Sequence, residues 1–455
     1  MANFSPWASS GLLSGAGRRI AMAAGASAAL WLAVLWSSLG AAPPSAAAPE
    51  ITAPEPAPVK ASVPPLRLVA AAGTPAPGGG SYDRFGLEMK NVTAAVNPRG
   101  DVAFFAKLVR GGADEGLFLW RDGRAALVAA IGGDVPGGGT IASFTERPAP
   151  SLNADGTVAF AAAVEGGRAG EAVLAWSGGK LATLAQSGAR APGVAGAAFF
   201  DLSPPALNDA GGAVFLATLR RGRETLDAIY FAAKGQLVKI AAAGDPAPGG
   251  GSFAALAAPA LNAGGAVAFA AVVEGGPTPG GIFMAGQGAV RRVVGAGDPT
   301  PGGGVFARIS EHIGLDDAGH VVFGAFLGQA ATRSGVFMAT DGAATPVALL
   351  GDAAPGGGRF VSFGDAPSLA PDGSLAFIAA VDGGTGSTGL YASGPEGVVR
   401  VAGPGDLVAD GRRIGYFPLN SAVEAGSHGR ITFQAGLRDG DEQTDAIILF
   451  APDRL

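Results

Sequence analysis

Asn153-Ala-Asp-Gly-Thr-Val-Ala-Phe160 decides the fold, because the same eight-residue pattern returns seven times along the chain. The copies begin at Asn97, Asn153, Asn208, Asn262, Asp316, Ala370 and Gly426. Their glycines are Gly100, Gly156, Gly211, Gly265, Gly319, Gly373 and Gly429, spaced by 56, 55, 54, 54, 54 and 56 residues. Four residues after each glycine stands Phe104, Phe160, Phe215, Phe269, Phe323, Phe377 or Phe433. A fixed period of a few tens of residues marks one supersecondary unit copied into an array.

Working outward from Asn153, a half-apolar run ends at Leu152, and Asn153-Ala-Asp-Gly156 makes a turn. Further apolar runs cover 157–164, 172–176 and 181–185, separated by the glycine-rich stretches 165–170 and 177–180. Short, evenly spaced apolar runs between such turns read as strands of an all-β protein. Asn at the turn's first position can accept from the backbone two residues on, and glycine at its fourth tolerates a left-handed conformation. The phenylalanine falls in the second strand, in the same register each time. That predicts seven equivalent aromatics packed between blades.

A glycine-proline loop, or its degenerate form, begins at Gly73, Gly133, Gly188, Gly244, Gly297, Gly351 and Gly405, after a fourth strand and before the next first strand. The last repeat ends on its third strand, Asp445-Ala-Ile-Ile-Leu-Phe450, and lacks a fourth. The spare strand Leu66-Arg-Leu-Val69 stands at the other end. A circular array resolves both: a seven-bladed β-propeller over 66–455, four antiparallel strands per blade, the last blade closed by the N-terminal strand at about 66–72. Radial repetition of this kind leaves few exposed sheet edges, whereas a linear solenoid needs capping units.

Length alone suggests two or three domains, but the repeat makes one body of residues 66–455. A net charge of −6 with 15% charged residues disfavours nucleic acid, which needs clustered Lys and Arg. The chain has no cysteine, which removes disulfides, thiolate zinc sites, iron–sulfur clusters and cysteine nucleophiles. Arg18 and Arg19 precede an uncharged run from Ile20 to Leu39. Residues 1–42 therefore read as a signal peptide or an N-terminal membrane anchor, and both fit. A bulky apolar continuation, which a twin-arginine signal needs, is not there. Residues 43–65 are a Pro/Ala-rich linker.

The octets Asn97-Pro-Arg-Gly-Asp-Val-Ala-Phe104, Asn153–Phe160 and Asn262-Ala-Gly-Gly-Ala-Val-Ala-Phe269 resemble the NxxGxxAF tandem-repeat family of exported bacterial proteins, over roughly residues 66–450. The resemblance implies export to the periplasm or cell surface and attachment by varied anchors, and it implies no established activity. This sequence departs in showing no C-terminal sorting segment before Leu455, so the expected anchor is N-terminal. The stretch Pro371-Asp-Gly-Ser-Leu-Ala-Phe377 also resembles the hairpin of TolB-like propellers.

Asp134, Asp245, Asp298, Asp352 and Asp406 recur at one position of the glycine-proline loops. Carboxylates at pseudo-symmetric points would suit Ca²⁺ at a channel mouth; the plainer expectation is that each caps its own loop. The Gly-Gly-Gly stretches lack the Gly-Lys-Ser/Thr of a phosphate loop and read as turns with positive φ. His312, His320 and His428 lack metal-ligand spacing, although 312 and 320 fall on neighbouring strands. The glycine-proline loops and second-to-third connections should share one face, and their variability points to binding there. The expectation is a monomeric, non-enzymatic, exported binding or surface-interaction module without a cofactor, its partner an envelope protein or a glycan. The alternative is an extracytoplasmic hydrolase or lyase acting on carbohydrate or lactone at the channel mouth.

Overall fold

A computed structural model describes residues 65–452, apart from 86–93, 145–148, 287–288, 384–387, 395–396, 418, 420–421 and 441. The signal or anchor segment 1–42 and linker residues 43–64 lie outside the described residues. Among those described, no helix is long and apolar enough to cross a membrane.

Seven antiparallel sheets make a seven-bladed β-propeller. In blade 2 the innermost strand comprises Thr140–Phe144 and Ser151–Leu152, followed outward by Val158–Glu165, Glu171–Ser177 and Lys180–Gln186. The last blade takes Arg430–Asp439 and Glu442–Phe450 from the C-terminal end and Leu66–Ala71 from the N-terminal end. Leu66 pairs with Phe450 and Ala71 with Ala446, so the ring closes as the sequence predicts.

Each innermost strand departs from the single run predicted for it. A β-bulge interrupts it at the same place in every blade, with Asp83, Ala142, Phe200, Ala254, Ala307, Val361 or Gly415 as the extra residue. Bulges bend a strand and re-aim its side chains. Beyond the bulge the chain loops out before pairing again. In blade 4 residues 257–259 stand opposite 269–270.

The repeated phenylalanines are fully buried, at 0–1% exposure. Their clusters straddle blades: Phe104 shares one with Ile447 and Leu449 of blade 7, and Phe269 one with Val214 and Ile229 of blade 3. In blade 4 Phe269 stacks on Phe283 (centroids 5.9 Å, 26°), with Phe253 edge-on to Phe283 (5.0 Å, 85°). The same three-ring arrangement occurs in blades 1, 3, 5 and 6.

The octet asparagine does more than form its turn. Asn153 Oδ1 accepts from the N–H groups of Asp155 and Thr157 (3.1 and 2.9 Å). Its Nδ2 donates to the Asn208 carbonyl of the next blade at 3.3 Å. Asn97, Asn208 and Asn262 donate likewise to Asn153, Asn208's successor Asn262, and Asp316. An aspartate forms the turn equally well but has no donor for the rung, so the ladder ends at Asp316. The last glycine of each triplet fixes the opposite face. Gly251 has φ +81°, and a β-carbon there would lie 2.4 Å from the Glu274 carbonyl oxygen of the second-to-third turn. No L-residue fits that contact without backbone movement.

Candidate functional site

The third strand carries an acidic residue fifteen or sixteen residues after the octet glycine in four blades: Glu115, Glu171, Asp227 and Asp445. Three of these reach across a seam to the next blade's innermost strand, near its bulge. The Leu202 N–H donates to Glu171 Oε2 at 2.8 Å, Phe85 N–H to Asp445 Oδ2 at 2.8 Å, and Leu256 N–H to Asp227 Oδ2 at 3.5 Å. Where the inner strand leaves its ladder, its N–H groups need acceptors, and these carboxylates supply them.

Burial raises the pKa of Asp227 and Asp445 above the ordinary aspartate range, against the bonds they accept. Glu171 is pushed up to about 7, first by burial and then by the neighbouring Asp201 carboxylate. Glu424, on the innermost strand of blade 7, is also pushed up to about 7 by burial, against a bond with the Ser368 hydroxyl. Its counterparts five residues before the octet glycine are Ala95, Ser151, Ala206, Ala260, Gly314 and Ser368. Glu424 is thus the one acid in a ring of small residues.

A carboxyl whose native pKa is raised binds its proton more tightly in the folded chain. Stability from it is present below the ordinary value and is lost as pH rises through the native one. Between about pH 4.5 and 7 the protein is therefore expected to lose stability at Glu171 and Glu424. Glu171→Gln keeps the acceptor for Leu202, adds a donor toward Asp201 and should raise stability at pH 8 by on the order of 2 kcal/mol. The difference should vanish near pH 4. Urea melts of both proteins across that range check it; a pH-independent difference would refute the protonation argument.

The structure does not gather the loop aspartates. Asp245 pairs with Lys239 at 2.8 Å and accepts from the Ala242 N–H; Asp298 does so with Arg292 and Gly295, and Asp406 with Arg400 and Gly403. Asp352 accepts from the Leu349 N–H, and Asp134 is exposed in a lone bridge with Thr140. Lys239, Arg292 and Arg400 belong to outermost strands. These carboxylates therefore tie loops to the outer edges of blades. Among the described residues no group of three or more His, Asp or Glu is arranged to hold a metal ion. Added Ca²⁺ is expected to leave the melting temperature unchanged, while Asp245→Ala and Asp298→Ala each cost about 1 kcal/mol, additively. A Ca²⁺-dependent rise lost in either variant would reverse this assignment.

The histidines are separate. His320 Nδ1 lies 2.7 Å from Asp316 Oδ2, the exposed His312 takes a backbone bond to the Ser310 hydroxyl, and the His428 N–H donates to Asp372. The Asp316–His320 contact occupies the turn that ends the asparagine ladder.

A cleft of about 640 Å³ opens where blade 7 meets blade 1. Arg67 and Leu68 of the closing strand line it, with Arg99, Gly100 and Asp101 of the first octet. Trp120 comes from the end of the third strand, Asp122 and Gly123 from the turn after it, and Asp410, Arg430 and Pro452 from blade 7. Most of its lining lies on the hairpin side, while Ala409 and Asp410 come from a glycine-proline loop, one of the variable connections where the sequence places binding. Sequence spacing does not reveal it, because the two chain ends and blade 1 build it only on closure.

Fold and closure together define the class, a seven-bladed β-propeller sealed by its own N-terminal strand. The chain belongs to a family of unknown function, DUF7453, which matches residues 59–279 and again 274–454. Two consecutive matches suit a tandem array. No curated protein matches it. Among solved structures it is similar to a puromycin-hydrolysing peptidase of Mycobacterium tuberculosis at 15% identity, over 78% of this chain and 52% of that one, with a TM-score of 0.44. It is also similar to TolB of Acinetobacter baumannii at 15% identity, over 55% and 52% of the two chains, with a TM-score of 0.32. Trypanosoma rangeli sialidase follows at 8% identity, 84% and 58%, and 0.34. The chain spans about half the length of these proteins, and the likenesses carry no argument about activity.

Proposed function

We propose that this propeller is an exported, non-enzymatic binding module of the cell envelope, whose partner is an envelope glycan or protein. The observation that carries this reading is the chemistry of the seam cleft. Its lining is guanidinium, indole and backbone, and two of its acids, Asp101 and Asp410, are already bonded to Arg121 and Arg412. Such a lining holds and orients a ligand but presents no nucleophile with an adjacent base. The perturbed carboxylates are engaged elsewhere, stapling one blade to the next. Export rests on the N-terminal segment and on the resemblance to the NxxGxxAF proteins.

The hydrolase reading keeps one specific support, the Glu171–Asp201 pair. Two carboxyls with one pKa near neutrality are the usual equipment of glycoside cleavage. The same position acts as a backbone staple at two other seams, which favours a structural role. Purified residues 60–455 should be retained on a glycan array or pull down envelope proteins without turning over chromogenic glycosides, esters or lactones. Turnover abolished by Glu171→Gln in a folded protein would replace the binding reading with the enzymatic one.

A further inference from the structure

We infer that the seam cleft is a site for a compact anionic saccharide, a uronate or sugar phosphate of about disaccharide size; the inference rests on the binding-module reading and gives its ligand a class. Its place in the fold is the first ground. Along the hairpin side, asparagine rungs join blades 1 to 2, 2 to 3, 3 to 4 and 4 to 5. At the closing seam the position of the rung's asparagine is Gly426, where a β-carbon would come within 2.7 Å of Val96 Cγ1. No side chain fits there to reach Asn97. The blades are held instead by the Thr432 hydroxyl donating to the Ala94 carbonyl and by Gln434 and Asp445 on Phe85. Beside this close backbone contact the seam leaves the cleft lined by Arg67, Gly100, Trp120 and Arg430.

Charge is the second ground. Arg67, Arg99 and Arg430 face Asp101, Asp122 and Asp410 in the lining, a formally neutral set. Arg121 holds Asp101 at 2.8 Å and also attracts Asp122, and Arg412 holds Asp410 at 2.7 Å. Two of the three acids are therefore engaged by arginines outside the lining, and Arg99 and Arg430 present guanidinium groups to the cleft. Arg430 lies across the Gly100 turn, where a β-carbon would sit 3.2 Å from its Nε, and it donates to the Ser427 carbonyl. Arg99 is exposed, with Asp155 at a loose 3.9 Å. Guanidinium groups so placed suit a carboxylate or phosphate, which they bind through paired N–H donors.

Shape and the remaining lining select the rest of the ligand. Trp120 packs on the core with one side and lines the cleft with another. A half-buried indole offers an apolar face to a flat ring while polar groups surround it. The exposed Asp122 carboxylate supplies an acceptor for ring hydroxyls. The volume falls in the usual range for small-ligand sites, about 300–1,000 Å³. The protein's net charge of −6 opposes a long polyanion at the surface but not a small anion met by the Arg99 and Arg430 guanidinium groups.

Isothermal titration of residues 60–455 tests this with digalacturonate, glucose 1-phosphate, inorganic phosphate and neutral maltose. Digalacturonate or glucose 1-phosphate should bind, inorganic phosphate and maltose far more weakly, and binding should fall as salt rises. Arg99→Ala and Arg430→Ala should each weaken it by about tenfold or more, the scale of one charge-assisted hydrogen bond. Trp120→Phe, which keeps a ring on the core, should weaken it less, and Arg333→Ala on blade 5 not at all. A bound ligand should also raise the melting temperature. Equal binding of maltose untouched by the arginine substitutions would overturn the inference, as would phosphate matching glucose 1-phosphate, or no saccharide binding to folded protein. The binding-module reading itself falls only if the glycan array and envelope pull-down are empty as well.

Discussion

A chain lacking residues 61–70 is expected to lose its cooperative melt and to aggregate. The deleted stretch contains nearly all of Leu66–Ala71, the outermost strand of blade 7. Its side chains serve two cores: Leu66 is buried between blades 6 and 7, and Val69 and Ala70 between blades 7 and 1. Losing a buried leucine costs about 2–5 kcal/mol and the valine and alanine add to it, against a typical total of about 5–15 kcal/mol. The deletion also bares the edge of Glu442–Phe450, with Ile447, Ile448 and Leu449 in a row, and a bare apolar edge invites pairing with another chain. Two bonds are lost besides: the Leu66 carbonyl accepts from the Ala409 N–H and the Pro65 carbonyl from the Ala451 N–H. Differential scanning calorimetry with light scattering decides the matter. A truncated protein that melts at the temperature of the parent and stays monomeric would mean that the ring does not depend on this strand.

The sequence made the ring legible because the evidence for it is local and repeated. Gly156 needs a left-handed turn, Phe160 sits at a fixed place in a strand, and a count of strands leaves one spare at each end. The site was harder to read, for physical reasons that differ from residue to residue. The rung from Asn153 to Asn208 crosses a seam, and spacing within one repeat is silent about where a side-chain amide ends. The carboxylate staples did leave a signal, since Glu171, Asp227 and Asp445 stand fifteen or sixteen residues after their glycines. Only the next blade's unpaired N–H groups give that distance a meaning. The loop aspartates show the reverse case. Their spacing suggests a ring around a channel, yet Asp245, Asp298, Asp352 and Asp406 each bond within their own loop or to a basic residue such as Lys239 or Arg292 on an adjoining outermost strand. Recurrence in a repeat protein reports the unit's own needs before it reports a shared site. The seam cleft obeys no period, because it exists only where Arg67, Trp120 and Arg430 meet.

Phe269→Ala is expected to cost about 3–5 kcal/mol, the usual loss for a fully buried phenylalanine, and the loss should be shared with particular neighbours. Phe269 is 0% exposed, stacks on Phe283 at 5.9 Å and meets Phe253 at 5.6 Å. Val214 and Ile229 of blade 3 complete its surroundings, so a cavity there opens between two blades. Alanines Ala268, Ala270 and Ala271 flank it in the strand; they are too short to swing into the space, and collapse has to come from backbone. A double-mutant cycle separates this arrangement from generic burial. Phe269→Ala with Phe283→Leu should show a coupling of roughly 0.5–1.5 kcal/mol, the worth of an aromatic pair beyond its area. Phe269→Ala with Phe377→Ala, two blades away and in a different cluster, should add without coupling. Strong coupling between the distant pair would mean that strain passes around the ring from blade to blade, so that the seven aromatics act as one cooperative element. A cost under about 1 kcal/mol for the single substitution would place the ring at the surface and contradict the propeller's packing.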